Sequence, residues 1–367
     1  MRLNRLWTYR RILFSRGFAS AVRAAGHNVR SYEQNRPLPF GPYMAEFDIT
    51  YRCNSRCLMC QRWRTAPGGE LGLEEYQTLA ETLRDMGTHQ ISIAGGEPLM
   101  REDAFPIIRA FADRGASVNL CTNGILLDRY PRAIAESKAT CVTVSLDGAT
   151  EATHDRIRGT SGTCARIEDG LRALLQRPAS RRPLLRVRMT FSRENTSQIR
   201  DFSSKWSGVA DDVLLQPVHR GDGALYTSDD ASLFSLDPET ISDQITGTPF
   251  ENEPSMRRLL HSLRHTGDFP RQECYACVLM ARIDPWGNVY PCLAQHDSIG
   301  SIREQGFRQL WNGEAAHRER SRRLEDRSCT CWFNNTALIG HYGARLHHPV
   351  RHLLSLLSPR NGKQSPR

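Results

Sequence analysis

Short apolar runs alternate with longer amphipathic ones from about residue 44 to residue 217, and this is the strongest regularity in the chain. Met44–Thr50 predicts a strand, as do Gln90–Ala94, Ser117–Cys121, Ala139–Ser145, Leu184–Thr190 and Val213–Pro217. Between them Leu73–Met86, with Leu79 and Leu83 four apart, predicts a helix. Ala104–Ala112, Arg129–Glu136, Ala165–Leu175 and Ile199–Trp206 do the same. Repeated strand–helix alternation implies a parallel sheet with helices outside it. The expected fold class is α/β, a partial (β/α)6 barrel of TIM type, because six units fall short of the eight that close a full barrel.

In barrels of this type the chemistry sits at the carboxyl ends of the strands. Four polar segments fall directly after predicted strands: the run Cys53 to Cys60, Gly95-Gly96-Glu97-Pro98, Thr122-Asn123-Gly124 and Ser145-Leu146-Asp147-Gly148. They should converge on one rim. Residues 1–43 read as a basic helical segment and 44–217 as the barrel. The stretch 218–272 lacks clear alternation, is rich in Ser, Asp, Thr and Pro, and reads as a linker or insertion. Residues 273–333 hold five more cysteines and form a small C-terminal domain, and 334–367 a basic tail.

Charge changes this picture only at the ends. The net charge is +9, yet residues 1–30 carry seven arginines and no acid, and no acid follows Asp326. With Leu3, Leu6, Trp7, Leu13, Phe14 and Phe18 at roughly helical spacing, three readings fit the start. It could be a surface helix on anionic lipid, an organelle-targeting segment, or an amphipathic helix packed on the main domain. Residues 345–358 pose the same question. No groove-reading motif accompanies the charge, so no nucleic-acid partner is expected. Eleven cysteines in clustered spacings, in a chain of 367 residues, favour metal or cluster ligation over a disulfide framework. The expected compartment is the reducing cytoplasm, with membrane-surface contact through the basic termini as a further expectation.

Cys53, Cys57 and Cys60 follow a C-x3-C-x2-C spacing. Three thiolates leave a tetrahedral zinc ion one ligand short. They can hold three corners of a four-iron cluster and leave the fourth iron open to a small chelating molecule. Together with Gly95-Gly96-Glu97-Pro98 and Ser145-Leu146-Asp147-Gly148, in this order and spacing, the run resembles the radical S-adenosylmethionine superfamily over residues 44–217. The resemblance implies a 4Fe–4S cluster on Cys53, Cys57 and Cys60 that binds S-adenosylmethionine through its open iron. It further implies that Gly95, Gly96 and Glu97 flank the methionyl amine. Asn123 and Ser145 would reach ribose or carboxylate, with Asp147 as a weaker candidate, and Met59 would lean on adenine where the family often has an aromatic. The reaction implied is reductive cleavage to a 5′-deoxyadenosyl radical, which abstracts hydrogen from a substrate carbon. An electron donor such as flavodoxin or ferredoxin goes with it.

Cys277-x9-Gly287-x4-Cys292 resembles the opening of the SPASM/twitch extension found in that superfamily, with a hairpin expected around Trp286-Gly287. The resemblance implies an auxiliary 4Fe–4S cluster drawn from Cys274, Cys277, Cys292, Cys329 and Cys331. Five thiols suffice for one cluster with one to spare. A structural zinc site could use the same thiolates. Cys121, at a strand end on the active rim, is either a hydrogen donor to a substrate radical or a packing thiol; Cys141 reads as core. Asn195 either reaches the cofactor or caps a loop. The function expected is hydrogen abstraction and oxidation or tailoring of a small-molecule, carbohydrate or lipid-linked substrate. The alternatives are a peptide-modifying maturase, for which residues 1–43 look short and helical as a leader-binding module, and a non-catalytic zinc or iron–sulfur scaffold.

Overall fold

The computed structural model describes residues 17–65, 68–218, 228, 230–267 and 274–325. Helix α1 (Phe18–Glu33) precedes strand β1 (Met44–Thr50). The chain then alternates through α2 (Leu73–Asp85), β2 (Gln90–Gly95), α3 (Ala104–Ala112), β3 (Ser117–Thr122), α4 (Pro131–Glu136) and β4 (Cys141–Ser145). Two helices, α5 (Glu151–Arg158) and α6 (Thr163–Leu175), lead to β5 (Leu184–Phe191), and α7 (Ile199–Trp206) leads to β6 (Asp212–Pro217). After them come α8 (Pro238–Ile245), α9 (Pro254–Thr266), β7 (Met280–Ile283), β8 (Asn288–Tyr290), β9 (Gly300–Ser301), α10 (Phe307–Asn312) and α11 (Glu314–Glu325).

The six expected strands pair in parallel, neighbour to neighbour, and the sheet is not closed: its order is β6-β5-β4-β3-β2-β1-β7-β8-β9. The C-terminal segment extends this sheet. β7 pairs in parallel with β1, with Met44 opposite Met280 and Phe47 opposite Ile283, and β8 and β9 add antiparallel. The hairpin expected at Trp286-Gly287 joins β7 to β8, with Gly287 at φ +91 where a side chain would be strained. The stretch 218–272, expected as a linker or insertion, holds α8 and α9 within its described part. Ile241, Ile245, Met256, Leu259, Leu260 and Leu263 join the common core. Capping explains the start of α8, where the Asp237 carboxylate accepts from the backbone N–H of Glu239 and Thr240.

Successive strand residues face opposite sides of a sheet. One parity is apolar and belongs to the core under the helices: Ala45, Phe47 and Ile49; Ile91 and Ile93; Val118 and Leu120; Val142 and Val144; Leu185, Val187 and Met189; Val213 and Leu215. The other parity faces the concave side and includes Glu46, Cys121, Ser145, Arg188, Thr190 and Gln216. A closed TIM barrel fills its interior with bulky aliphatics; this open sheet keeps a polar hollow instead. Helix α1 packs on the body, burying Ala24, Ala25, Val29 and Tyr32. Its buried Asn28 side chain donates to the carbonyls of Phe40 and Gly41 and accepts from Phe40 N–H. Of the readings for the basic start, packing on the body describes α1; residues 1–16 and 345–358 lie outside the described residues. Among the described residues no helix is long and apolar enough to cross a membrane.

Candidate active site

The loop between β1 and α2 carries Cys53, Cys57 and Cys60 over the carboxyl ends of β1, β2, β3 and β4. All three line a cavity of about 160 Å³, along with Met59, Gly95, Gly96, Asn123 and Ser145. Neighbouring backbone fixes the loop. Gly96 N–H donates to Thr50 O and Glu97 N–H to Arg52 O, at 2.7 and 2.8 Å. A Cβ on Gly95 would stand 2.3 Å from Thr50 O, and one on Gly96 would stand 2.3 Å from Arg52 O. The paired glycines therefore admit the cysteine loop itself at a distance no side chain allows. From the other side Arg56 N–H and Leu58 N–H each donate, at 2.9 Å, to the C-terminal carbonyls of α5 on Arg158 and Ile157. The loop thus uses acceptors that a helix end leaves without intrahelical partners.

Burial raises the Cys57 thiol to about 12, with the charges of Cys60 and Cys53 adding to it and Arg158 opposing. Arg158 Nη1 lies 3.7 Å from Cys57 Sγ and its Nη2 2.7 Å from Asp147. Thiols this crowded become ligands when metal charge replaces their protons. Among the described residues no three His, Cys, Asp or Glu side chains converge as one metal ion requires. The three thiols on one cavity wall leave a single zinc one ligand short and suit three corners of a 4Fe–4S group.

The remaining sequence candidates fall in two layers. Met59, Gly95, Gly96, Asn123 and Ser145 stand on the cavity wall. Glu97 and Asp147 lie behind it, both wholly buried. The Glu97 carboxylate accepts from Thr122 Oγ1, Asn123 N–H and Leu99 N–H at 2.7, 2.7 and 3.1 Å, and burial raises it to about 7 against those bonds. It thereby joins the turns after β2 and β3 and sets Asn123, whose amide donates to Asn54 Oδ1 and Ser55 Oγ in the cysteine loop. Asp147 accepts from Thr190 N–H while holding Arg158. Asn195 bonds the backbone of Asp147, Thr190 and Ser192 and so caps its loop. Cys121 lines the cavity, with Asn119 Nδ2 3.1 Å from its sulfur, whereas Cys141 is buried core.

The second cysteine set gathers under α11. Cys277 is buried with φ +61, and burial raises its thiol to about 11 against the charges of Arg320 and Arg323. Arg323 Nη1 reaches Cys274 Sγ at 3.1 Å, and Arg320 donates to Cys277 O. Ala294 N–H donates to Cys292 Sγ at 3.3 Å. Cys329 and Cys331 lie outside the described residues. Leu293, next to Cys292, reaches the wall of the first cavity. A buried ionic bridge also joins the two halves. Arg62, two residues after Cys60, grips both oxygens of Asp48 at 2.8 Å, and Arg282 on β7 stands 3.7 Å from the same carboxylate.

Sequence reasoning passed over Arg158, α5, Glu46, Arg188 and the bridge. Signals were there: Thr150 opens α5 as its N-cap and Gly159 closes it in the left-handed conformation. Alternation within Glu46-Phe47-Asp48-Ile49-Thr50 announces one polar face.

Comparison with known proteins agrees with this geometry. Residues 47–201 match the Radical SAM superfamily, and residues 254–332 match SPASM, an iron–sulfur cluster-binding domain. The chain is 28% identical over 304 residues to the AdoMet-dependent heme synthase of Methanosarcina barkeri, covering 76% of this chain and 84% of that protein. It is 26% identical over 294 residues to the mycofactocin maturase MftC of Mycobacterium tuberculosis, covering 76% of this chain and 72% of that one. Streptococcus suis SuiB, solved bound to the precursor peptide SuiA, shares the fold at a TM-score of 0.60 and 14% identity, over 79% of this chain and 69% of SuiB.

Proposed function

We propose, from the premise that this chain belongs to the radical S-adenosylmethionine superfamily and carries a C-terminal SPASM domain, that it modifies a peptide. It is a radical S-adenosylmethionine enzyme with a 4Fe–4S cluster and auxiliary iron–sulfur ligation. When bound, the cluster and its cofactor supply the reductive cleavage and the 5′-deoxyadenosyl radical that removes hydrogen from carbon. The chain's own residues do the rest. Cys53, Cys57 and Cys60 hold the cluster, Asn123 and Ser145 face the nucleotide, and Glu97 braces Asn123. Arg158 offsets the negative charge of the thiolates. Cys274, Cys277 and Cys292 serve the auxiliary site, together with Cys329 and Cys331.

The observation that carries the peptide reading is the polar concave face beyond the cofactor residues, where Glu46, Arg188 and Gln216 offer hydrogen bonds of both kinds. It favours an amide-bearing chain over an apolar or lipid-linked group. The maturase among the relatives supports it, and together they outweigh the small-molecule expectation. A second reading, a propionate-bearing tetrapyrrole, is favoured by the heme synthase, which is matched over 84% of its length. An electron donor such as flavodoxin or ferredoxin and a reducing cytoplasm belong to the same proposal.

The test is anaerobic reconstitution, with iron counted at about four per cluster and 5′-deoxyadenosine assayed after dithionite. A peptide encoded beside the gene should stimulate nucleoside release and change mass, and Cys57→Ala should abolish both. Stimulation by a tetrapyrrole and not by the peptide would transfer the assignment to the second reading.

A further inference from the structure

The auxiliary cysteines lie beside a largely buried ion pair that ligation itself does not require. Arg323, on α11, is 8% exposed, and its guanidinium forks between two sets of partners. Nη1 donates to Cys274 Sγ at 3.1 Å, while Nη2 reaches the Glu319 carboxylate at 2.7 Å and Gln295 Oε1 at 2.5 Å. Its buried Nε has no hydrogen-bond partner among the described residues. Burial works against the guanidinium charge, but the charges of Cys274, Cys292, Glu319 and Cys277 hold it above its ordinary value. One cation thus stands in the field of all three described thiols, with one N–H on a sulfur and another without a partner. A neutral thiol is a weak acceptor for such a donor. Thiolate sulfur on a cluster would be a charged acceptor, and bonds of that kind are the strong ones. The residues present therefore fit the auxiliary 4Fe–4S group.

We propose that the Arg323–Glu319 pair sets the reduction potential of the auxiliary cluster, the cation on the sulfur raising it and the anion on the other arm of the fork lowering it. The inference goes beyond the peptide reading and does not depend on it; it rests on the auxiliary ligation. Reduction adds one electron to the cluster, with no proton taken up and no bond exchanged, and so places one more negative charge beside the arginine. Cluster potentials follow net charge, hydrogen bonds to the sulfurs and solvent exposure. A hydrogen-bonded cation favours the reduced state on the first two counts.

The other arginines of α11 act less directly. Arg320 donates to Cys277 O and Trp311 O, so its hydrogen bonds fix backbone and not sulfur. Arg322 lies 2.8 Å from the same Glu319 carboxylate and shares its charge. Glu319 in turn raises the Cys277 thiol, so its field reaches the sulfurs with the opposite sign to that of Arg323. Leu293 follows Cys292 and lines the first cavity, so the tuned site adjoins the hollow where the cofactor residues meet.

The test uses the full chain, reconstituted anaerobically and titrated with dithionite, with the reduced clusters read by electron paramagnetic resonance. S-adenosylmethionine bound at the N-terminal cluster shifts that signal, and the unshifted signal is the auxiliary one. Arg323→Gln should lower the auxiliary potential: the ratio of reduced to oxidised cluster at a fixed potential should fall about tenfold, or about 59 mV for one electron. Arg323→Lys, which keeps the charge, should lie between this variant and the wild type. Glu319→Gln should raise the ratio by about threefold. A pair that merely anchors α11 would move neither potential, or both in one direction. Iron content checks each variant. An Arg323→Gln that holds its iron at the wild-type potential overturns the inference, as do shifts of one sign in Arg323→Gln and Glu319→Gln. Where Arg323→Gln loses its iron, Glu319→Gln decides, because Glu319 bonds Arg322 and Arg323 and no sulfur. An unchanged or lowered potential there overturns the inference. A reduced holoenzyme with no second signal overturns it too, and none of these outcomes touches the peptide reading.

Discussion

Glu97 is held by more of the protein than its motif alone announces. The Gly-Gly-Glu-Pro run marks the place, but the carboxylate faces protein on all sides and accepts from two different turns. Burial raises it to about 7 from its ordinary 4.5. The folded protein then keeps a proton that the unfolded chain has released. The stability this contributes is fully present below about 4.5 and is lost as the pH rises through about 7. Thermal melts of the cluster-free chain across that window should show the wild type losing stability relative to Glu97→Gln, whose amide does not titrate. Parallel curves would refute the assignment. The glycines tell a similar story. Their identity was plain in the sequence, but the reason for it, the backbone of another loop that would stand 2.3 Å from an added Cβ, was not.

At the scale of elements, α5 is the support that the cysteine loop leans on. It is short, its residues are largely polar, and its apolar positions are too few to show a period, so sequence periodicity missed it. Its end at Gly159 is strict: φ is +65, and a Cβ would stand 2.3 Å from Arg56 O. Gly162, at φ +71, has no atom within 4 Å of its own would-be Cβ. Gly159→Ala and Gly162→Ala therefore share the cost of a left-handed alanine, about 1 kcal/mol, but only the first collides with the loop. Iron retained at the N-terminal site after reconstitution should fall in Gly159→Ala and hold in Gly162→Ala. Equal losses would show that backbone strain, and not contact with the cysteine loop, is what matters.

For the whole molecule, the decisive feature is the seam between β1 and β7. It makes the C-terminal segment a continuation of the first sheet and brings Arg282 to Asp48 from far along the chain. Removing one partner of a buried pair leaves a charge uncompensated, at a cost of about 3–5 kcal/mol for a well-formed pair. Arg62→Met, which breaks two contacts at 2.8 Å, should approach that range. Arg282→Met, which removes a partner at 3.7 Å, should cost less, about 1–3 kcal/mol. Denaturant titration of the two variants checks the order, and a reversed order would show that Arg282 carries the bridge. The six strands, the rim on which their loops meet and the three-cysteine cage were all legible along the sequence, because periodicity and close spacing are local properties. Four things were decided in three dimensions: the open polar hollow, the arginine over Cys57, the glycines pressed against backbone, and the bridge between the two cysteine sets. Each depends on which distant residues come within a few ångströms of one another, and one-dimensional spacing carries no record of that.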